Sequence, residues 1–133
     1  MTDMSYFPYL PIEDAVSLPF WNGARNKELV IQWCIDCERY QWYPRAVCIR
    51  CGTEQIQWRS ASGKGRIDSF TVVHRAPKDG FVPPYVIARV LLEENELILT
   101  RLVDAAAVDP KCDDAVSLKW QELSDGRFIP VFG

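Results

Sequence analysis

Four of the chain's five cysteines lie in one short stretch, CIDCERYQWYPRAVCIRC. They form two Cys-x-x-Cys pairs with ten residues between the pairs: Cys34 with Cys37, and Cys48 with Cys51. Each pair places two sulfurs on one tight turn, and two such turns complete a tetrahedron around an ion about 2.3 Å from each sulfur. Because sulfur fills all four positions, no position stays open for water or substrate. The pattern therefore predicts one structural zinc ion per chain.

Paired cysteines also serve redox chemistry and disulfide bonding. A redox pair is typical of a thioredoxin-like βαβ unit with a thiolate at a helix N-terminus, and no such pattern surrounds these cysteines. No N-terminal run reads as a secretory signal, and no window approaches the roughly 20 apolar residues of a membrane span. We therefore expect a cytoplasmic protein, in which thiols stay reduced and disulfides are rare.

The elements that must position the cysteines can be read from the flanking sequence. Ser17 before Leu-Pro-Phe-Trp predicts a hydroxyl-capped helix over residues 18–26, and an apolar strand over residues 29–33 leads into Cys34. After residue 58 the pattern changes to β. Five strand candidates are rich in Val, Ile, Leu and Phe and cover residues 66–74, 85–92, 97–103, 116–123 and 128–132. Five short strands with a longer interruption between the third and fourth predict a mainly β chain with a small OB-type barrel.

We divide the chain into three parts on this basis. Residues 1–28 form an N-terminal arm and short helix, residues 29–60 the zinc ribbon, and residues 61–133 the OB-fold barrel. Residues 1–16 show no periodicity, so we expect an arm that stays mobile or lies on a partner. The zinc ion would replace a hydrophobic core that the ribbon is too short to build.

Charge is distributed unevenly around a net value of −3. Between residues 25 and 66 there are eight Lys and Arg against four Asp and Glu. This basic segment is either an ordinary solvated face or a surface for a phosphate-bearing partner. The predicted second and third barrel strands read YVIARVLLEENELILT, which is aliphatic with an acidic tip. Nucleic-acid binding on that face is therefore not expected.

Two groups outside the quartet are candidates for catalysis. His74 is the only histidine and ends a predicted strand, which is also a common place for a histidine hydrogen-bonded to backbone. Cys112 is followed by Asp113 and Asp114, and neighbouring acids raise a thiol's pKa. Neither group has a visible base or orienting partner, so we expect no catalytic residue and no turnover by this chain alone.

Several segments in a fixed order carry a resemblance to a known family. They are FWNGARNKELVIQWCIDCERYQWYPRAVCIRCG, SGKGRIDSFTVVHR, PYVIARVLLEE and IPVFG. This order closely resembles the acyl-CoA-associated family built from a rubredoxin-like zinc ribbon followed by an OB-fold, and it covers nearly the whole chain from Phe20. Departures are Glu38, where many relatives have Gly, and the segment AAAVDPKCDD in place of an acidic turn.

The resemblance implies an accessory role beside a catalytic partner. Members resemble small subunits or appended domains of thiolase-like or lipid-transfer-protein-like enzymes, which cleave or form C–C bonds in CoA thioesters, including those of steroid side chains and aromatic acids. The catalytic residues of such complexes lie in the partner, so an aldolase or thiolase complex is the leading hypothesis. The rival is a free-standing acyl-CoA-binding or oligonucleotide-binding OB protein.

Two surfaces follow from this hypothesis as expected contacts. The CoA phosphates and pyrophosphate need positive charge, and three arginines surround the cysteines: Arg39, Arg45 and Arg50. Nearby aromatics either stack on adenine or cover the ribbon. The loop RAPKDGFVPP presents apolar and rigid residues, which either dock on the partner or pack across the barrel mouth. The expected partner contacts there are His74, Arg75, Phe81, Val82, Pro83 and Pro84.

Overall fold

The computed structural model describes residues 10–133. Its elements, in chain order, are α1 (Leu18–Arg25), β1 (Val30–Cys34), β2 (Arg39–Gln41), β3 (Ile56–Ser60), β4 (Lys64–Val73), β5 (Tyr85–Leu92), β6 (Leu97–Leu102), α2 (Ala105–Val108), β7 (Ala115–Glu122) and β8 (Phe128–Phe132). Residues 1–9 of the predicted arm lie outside this range. Within it, no helix has the length and apolarity needed to cross a membrane.

The second half of the chain closes into a five-stranded barrel in the order β4-β5-β6-β8-β7. The long β4 pairs with both β5 and β7, and a register shift between Ile67 and Ser69 bends it so that it can reach both. The predicted mainly β fold with an N-terminal helix, a ribbon and an OB barrel is confirmed. Two of the five predicted strands, at 85–92 and 128–132, have the predicted bounds.

The barrel is weakly closed along one seam. Strands β6 and β8 run parallel and share a single bridge, between Leu102 and Phe132. The backbone of Pro130, a residue of β8, faces this seam. Proline has no N–H to donate, so the hydrogen-bond ladder between β6 and β8 does not continue there. Its carbonyl instead accepts a hydrogen bond from Thr100 Oγ1 at 3.2 Å. Strands β6 and β8 are therefore joined by few hydrogen bonds along this seam.

The ribbon is a three-stranded sheet with β1 between β2 and β3. Leu29, just before β1, and Ile31 in β1 are each 1% exposed and belong to the same apolar cluster as barrel residues such as Val90 and Phe132. Helix α1 buries Phe20, Trp21 and Ala24 in a second cluster against ribbon and barrel tryptophans. The ribbon and the barrel therefore share a core.

One expectation for the N-terminal region, the cap of α1, was wrong. Ser17 does not cap α1 through its side chain, because its hydroxyl oxygen accepts from the Asp14 N–H at 3.2 Å instead of from a helix N–H, and its proton goes to Asp14 Oδ1 at 2.8 Å. The Ser17 N–H donates to the same oxygen, and this bond lowers the pKa of Asp14. Of the predicted arm, Pro11 contacts the barrel, since Arg127 donates to Pro11 O at 2.7 Å, and a contact of the arm with a partner stays a prediction.

Candidate functional site

The four cysteines of the two pairs converge at one end of the ribbon. All four sulfurs lie within 4.8 Å of one another, with Cys34 Sγ 3.6 Å from Cys51 Sγ and Cys37 Sγ 3.9 Å from Cys48 Sγ. A tetrahedron with zinc–sulfur bonds of about 2.3 Å has edges of about 3.8 Å. The cluster therefore fits one zinc ion, and coordination by four cysteine sulfurs is typical of a structural zinc site.

Each Cys-x-x-Cys turn aims backbone amides at a sulfur. The Cys37 N–H donates to Cys34 Sγ at 3.3 Å, and the Arg50 N–H donates to Cys48 Sγ at 3.4 Å. The chain leaves the turns at Glu38 and Gly52, with φ of 53° and 76°. Glycine adopts this left-handed region freely, whereas for Glu38 it carries a small energetic cost. These amides stabilise thiolates, the form that binds zinc.

The four thiols of the cluster differ in how readily they ionise. Hydrogen bonds from the backbone N–H groups of Cys51 and Arg50 lower the pKa of Cys48 to about 6. A side-chain hydrogen bond with Cys51, followed by burial, raises the pKa of Cys37 to about 12. Adjacent thiols therefore do not all ionise without a cation, and zinc entry must displace protons.

Two buried glutamines hold the loop that carries the second cysteine pair, and sequence reasoning missed them. Gln41 Nε2 donates to Gln32 Oε1 at 2.7 Å, and Gln41 Oε1 accepts from the Ile49 N–H at 3.0 Å. Gln32 in turn bonds both the N–H and the carbonyl of Arg45. Glutamine is usually exposed, so neither residue stands out in the sequence. The pair ties residues 45–49 to the ribbon sheet and so fixes Cys48.

The three arginines named as CoA contacts are all exposed on the ribbon. Arg50 donates to Tyr40 O at 3.3 Å. Arg50 and Arg39 also lie near Glu96. Burial raises the pKa of Glu96, and the positive charges of the two arginines offset part of that rise. Within residues 10–133, the Arg45 guanidinium has no hydrogen bond or ion pair. The CoA assignment stays a prediction, and Arg45 is the arginine with the fewest competing contacts.

The loop named as a partner contact has an exposed side and a packed side. His74, Arg75 and Val82 are exposed. Phe81 is half-buried because its ring stacks on Tyr85, with centroids 5.9 Å apart. The loop thus forms a wall beside the barrel, and its role in partner binding stays a prediction.

Two family profiles together match residues 21–121 of the chain. The profile described as the ChsH2 rubredoxin-like zinc ribbon domain matches residues 21–57, and that of the ChsH2 C-terminal OB-fold domain matches residues 58–121. The chain belongs to the ChsH2 family. Both the zinc ribbon and the OB-fold predicted from the sequence are thereby confirmed, and the described cysteine cluster agrees with a zinc cofactor.

Curated ChsH2-like relatives come from bacteria and archaea. A probable enoyl-CoA hydratase alpha subunit of Thermomonospora curvata is 34% identical over 85% of this chain. DUF35 domain-containing scaffold proteins of Pyrococcus furiosus and Methanocaldococcus jannaschii are 33% and 36% identical over 64% and 74% of it. The chain spans 36%, 63% and 72% of the lengths of these three relatives, respectively.

Solved structures with the same architecture include a ChsH2 chain. A chain of the Ltp2-ChsH2(DUF35) aldolase superposes with a TM-score of 0.81 at 31% identity, covering 92% of this chain and 97% of that one. A DUF35 protein of unknown function from Sulfolobus solfataricus gives a TM-score of 0.60 at 18% identity, covering 81% and 78% of the two chains, and shows the shared fold.

Proposed function

We propose that this chain is a noncatalytic, zinc-binding subunit of an acyl-CoA-processing complex. Its partner is a thiolase-superfamily or lipid-transfer-protein-like subunit that cleaves or forms C–C bonds in CoA thioesters, as an aldolase or a thiolase does. This chain stabilises the partner and helps to form the channel through which the acyl-CoA reaches the partner's active site.

The match with the chain of the Ltp2-ChsH2(DUF35) aldolase supports this proposal most strongly. It covers 97% of that chain, so the same ribbon and barrel are available for an equivalent contact. The name of that protein pairs ChsH2 with a second component, and the archaeal relatives are named scaffold proteins. A closed four-sulfur site supports the same role, because it can maintain a shape but offers no open position for substrate.

Within this proposal the three predicted parts keep their roles. Residues 1–28 form the arm and helix, residues 29–60 the ribbon, and residues 61–133 the barrel. The ribbon arginines face the CoA nucleotide, and the loop from His74 to Pro84 contributes to the partner contact. We place the complex in the cytoplasm, where four unpaired cysteines stay reduced and available to zinc.

Complex formation tests the proposal. The tagged chain is co-expressed with a candidate thiolase-superfamily subunit, and the molar mass of the purified material is measured by light scattering. A complex of defined stoichiometry supports the accessory role. A stable monomer that does not bind the candidate partner would favour the free-standing binder instead.

A hydratase partner is the second candidate, because one relative is named a probable enoyl-CoA hydratase alpha subunit. This chain spans 36% of that protein, so hydration chemistry would belong to another domain or subunit. The purified complex can be offered an enoyl-CoA and a β-hydroxyacyl-CoA in parallel. Water addition to the first without cleavage of the second would replace the aldolase assignment.

Arg45→Ala is expected to raise the KM of the complex for a CoA thioester about five- to thirtyfold and to leave kcat unchanged. A charge-assisted contact to phosphate contributes roughly 1–2 kcal/mol, and the nucleotide lies far from the reacting bond. The measurement compares the CoA thioester with the matching N-acetylcysteamine thioester, which has no nucleotide.

Arg66→Ala, an exposed arginine on β4, is the matched control. It should leave both KM values unchanged. An equal rise in KM for the two thioesters in Arg45→Ala would rule out recognition of the nucleotide by this side chain.

A further inference from the structure

A large groove runs along the outside of the barrel over the β6–β8 seam. Its volume is about 700 Å³, and its walls come from the segment 11–17, α1, the ribbon segment 42–44, the loop before β5, and strands β5 to β8. Leu99 and Val82 line it and are 55% and 57% exposed, although both are aliphatic. An exposed apolar surface of this kind usually contacts another chain segment or molecule. The groove is also rich in aromatic side chains, which are Phe20, Trp21, Trp42, Tyr43, Phe81 and Tyr85.

Unpaired hydrogen-bond donors are concentrated in the same groove. Among residues 10–133, four buried side-chain polar atoms have no hydrogen-bond partner, and three of them belong to groove residues: Trp42 Nε1, Arg101 Nε and Gln121 Nε2. All three are N–H donors. Buried donors normally have partners, because leaving one unpaired costs free energy. Since these donors come from the ribbon, β6 and β7, a matching occupant has an apolar surface and offers acceptor oxygens at several points.

The described chain starts at the edge of this groove. Pro11 and Ile12 line it, and the Pro11 carbonyl accepts from Arg127 at 2.7 Å. The Arg127 side chain is 15% exposed and also lies 3.8 Å from the Glu13 carboxylate. These contacts hold the chain at the groove wall, so residues 1–9 are tethered beside it. Nine extended residues reach about 30 Å, which is enough to cross a small domain.

The sequence of residues 1–11 suits such a groove. It ends in FPYLP, in which two prolines are three positions apart, Pro8 and Pro11. Segments with this Pro-x-x-Pro spacing favour an extended backbone without internal hydrogen bonds, and they bind aromatic-lined grooves in other proteins. Their carbonyl oxygens stay available to side-chain N–H groups. Residues 1–9 also carry one charged side chain, that of Asp3, against three aromatic ones.

We propose that residues 1–9 bind in the groove of their own chain. The aromatic and proline side chains of this segment lie on the aromatic walls, and its backbone carbonyl oxygens accept from the three unpaired donors. The groove is then closed by the chain itself, whereas the sequence pattern predicted an arm that stays mobile or lies on a partner. The inference goes beyond the proposed function and does not rest on it, because the contact forms without a partner.

Chymotrypsin digestion of the full, zinc-loaded chain tests this contact. The protease cleaves after aromatic residues that are not followed by proline, so the sites within the segment are Tyr6 and Tyr9. Each cleavage rate is measured by mass spectrometry and compared with that of a synthetic peptide of residues 1–14. Binding in the groove is expected to slow cleavage at both sites at least about tenfold, because only the released segment fits the protease.

Two variants of the barrel surface show whether the groove gives the protection. Leu99→Glu places a carboxylate in the apolar groove and should restore cleavage to the rate of the free peptide. Val108→Glu is the matched control, because Val108 is 83% exposed in α2 and lies outside the groove. It should keep the protection. Circular dichroism verifies that both variants are folded.

A second pair of variants changes the segment and leaves the barrel intact. Phe7→Asp places a charge among the aromatic residues and should lose the protection at Tyr9, measured against a peptide with the same change. Thr2→Asp adds the same charge at a polar position and should keep the protection.

Equal cleavage rates for the chain and the peptide would overturn the proposal, as would retained protection in Leu99→Glu or an equal loss in Val108→Glu. The digestion is repeated at several chain concentrations and with a candidate partner. Protection that is lost on dilution would identify the occupant as the segment of a second copy. Protection that appears only with the partner would place the segment on that partner. Either result would overturn binding within one chain.

Discussion

Replacing Cys48 with serine is expected to release the zinc ion and unfold the ribbon. A hydroxyl does not replace a thiolate as a zinc ligand at neutral pH, and three sulfurs form an incomplete site. Structural zinc contributes roughly 10–16 kcal/mol of apparent binding free energy in zinc-finger peptides, comparable to or larger than a domain's net stability of about 5–15 kcal/mol. Cys48 is 2% exposed, so water cannot take the place of the lost sulfur at the zinc ion unless the ribbon opens.

The effect should reach the barrel as well. Leu29 and Ile31 lie in the barrel's own apolar cluster, so loss of the ribbon would uncover that core. We expect less than one zinc per chain by metal analysis, together with a lowered melting temperature for the barrel by circular dichroism. Cys112→Ser is the matched control, because Cys112 is exposed and outside the cluster. It should retain zinc and change stability by less than about 0.5 kcal/mol. A folded Cys48→Ser chain with an unchanged melting curve would contradict a structural role for zinc.

Replacing Gln41 with leucine is expected to destabilise the ribbon by about 2–5 kcal/mol and to accelerate zinc loss. The change leaves the Ile49 N–H and the Val47 carbonyl without their present partner. Each unpaired buried group costs roughly 1–3 kcal/mol, and partial exposure of this loop lowers the sum. Since Gln41 is 2% exposed, leucine fits the apolar surroundings but cannot hold the loop that carries Cys48.

Zinc transfer to a chromogenic chelator measures this second effect. Gln41→Leu should release zinc at least about tenfold faster than the unaltered chain. Gln57→Leu is the matched control, because Gln57 is an exposed glutamine on β3 whose side-chain oxygen accepts only from the nearby Arg59. An identical release rate for both variants would mean that the glutamine pair does not support the zinc site.

The features that sequence reasoning captured are those with local causes. Two Cys-x-x-Cys turns specify a zinc site because spacing alone places the sulfurs, whatever the rest of the chain does. Short runs of aromatic and β-branched residues such as FIPVF specify barrel strands because the strand preference is carried by the residues themselves. The family resemblance then gave the accessory role.

Features built from distant residues were not accessible in this way. The pairing of Gln32 with Gln41 depends on the register between β1 and β2, and the polar strand β2 carries no apolar signal. A groove of about 700 Å³ is lined by α1, by the ribbon segment 42–44 and by strands β5 to β8, so it becomes visible only when these elements are assembled. The expected helix cap was also missed, because the Ser17 hydroxyl bonds the N–H and the carboxylate of Asp14 and not the first N–H groups of the helix.

The most direct test of the accessory role is turnover by the partner at fixed concentration while this chain is titrated in. The account predicts little cleavage of the CoA thioester by either protein alone, and a rate that rises until the two are equimolar and then stays constant. Cys48→Ser chain should give no such rise. Full activity of the partner without this chain, unchanged on its addition, would contradict the account.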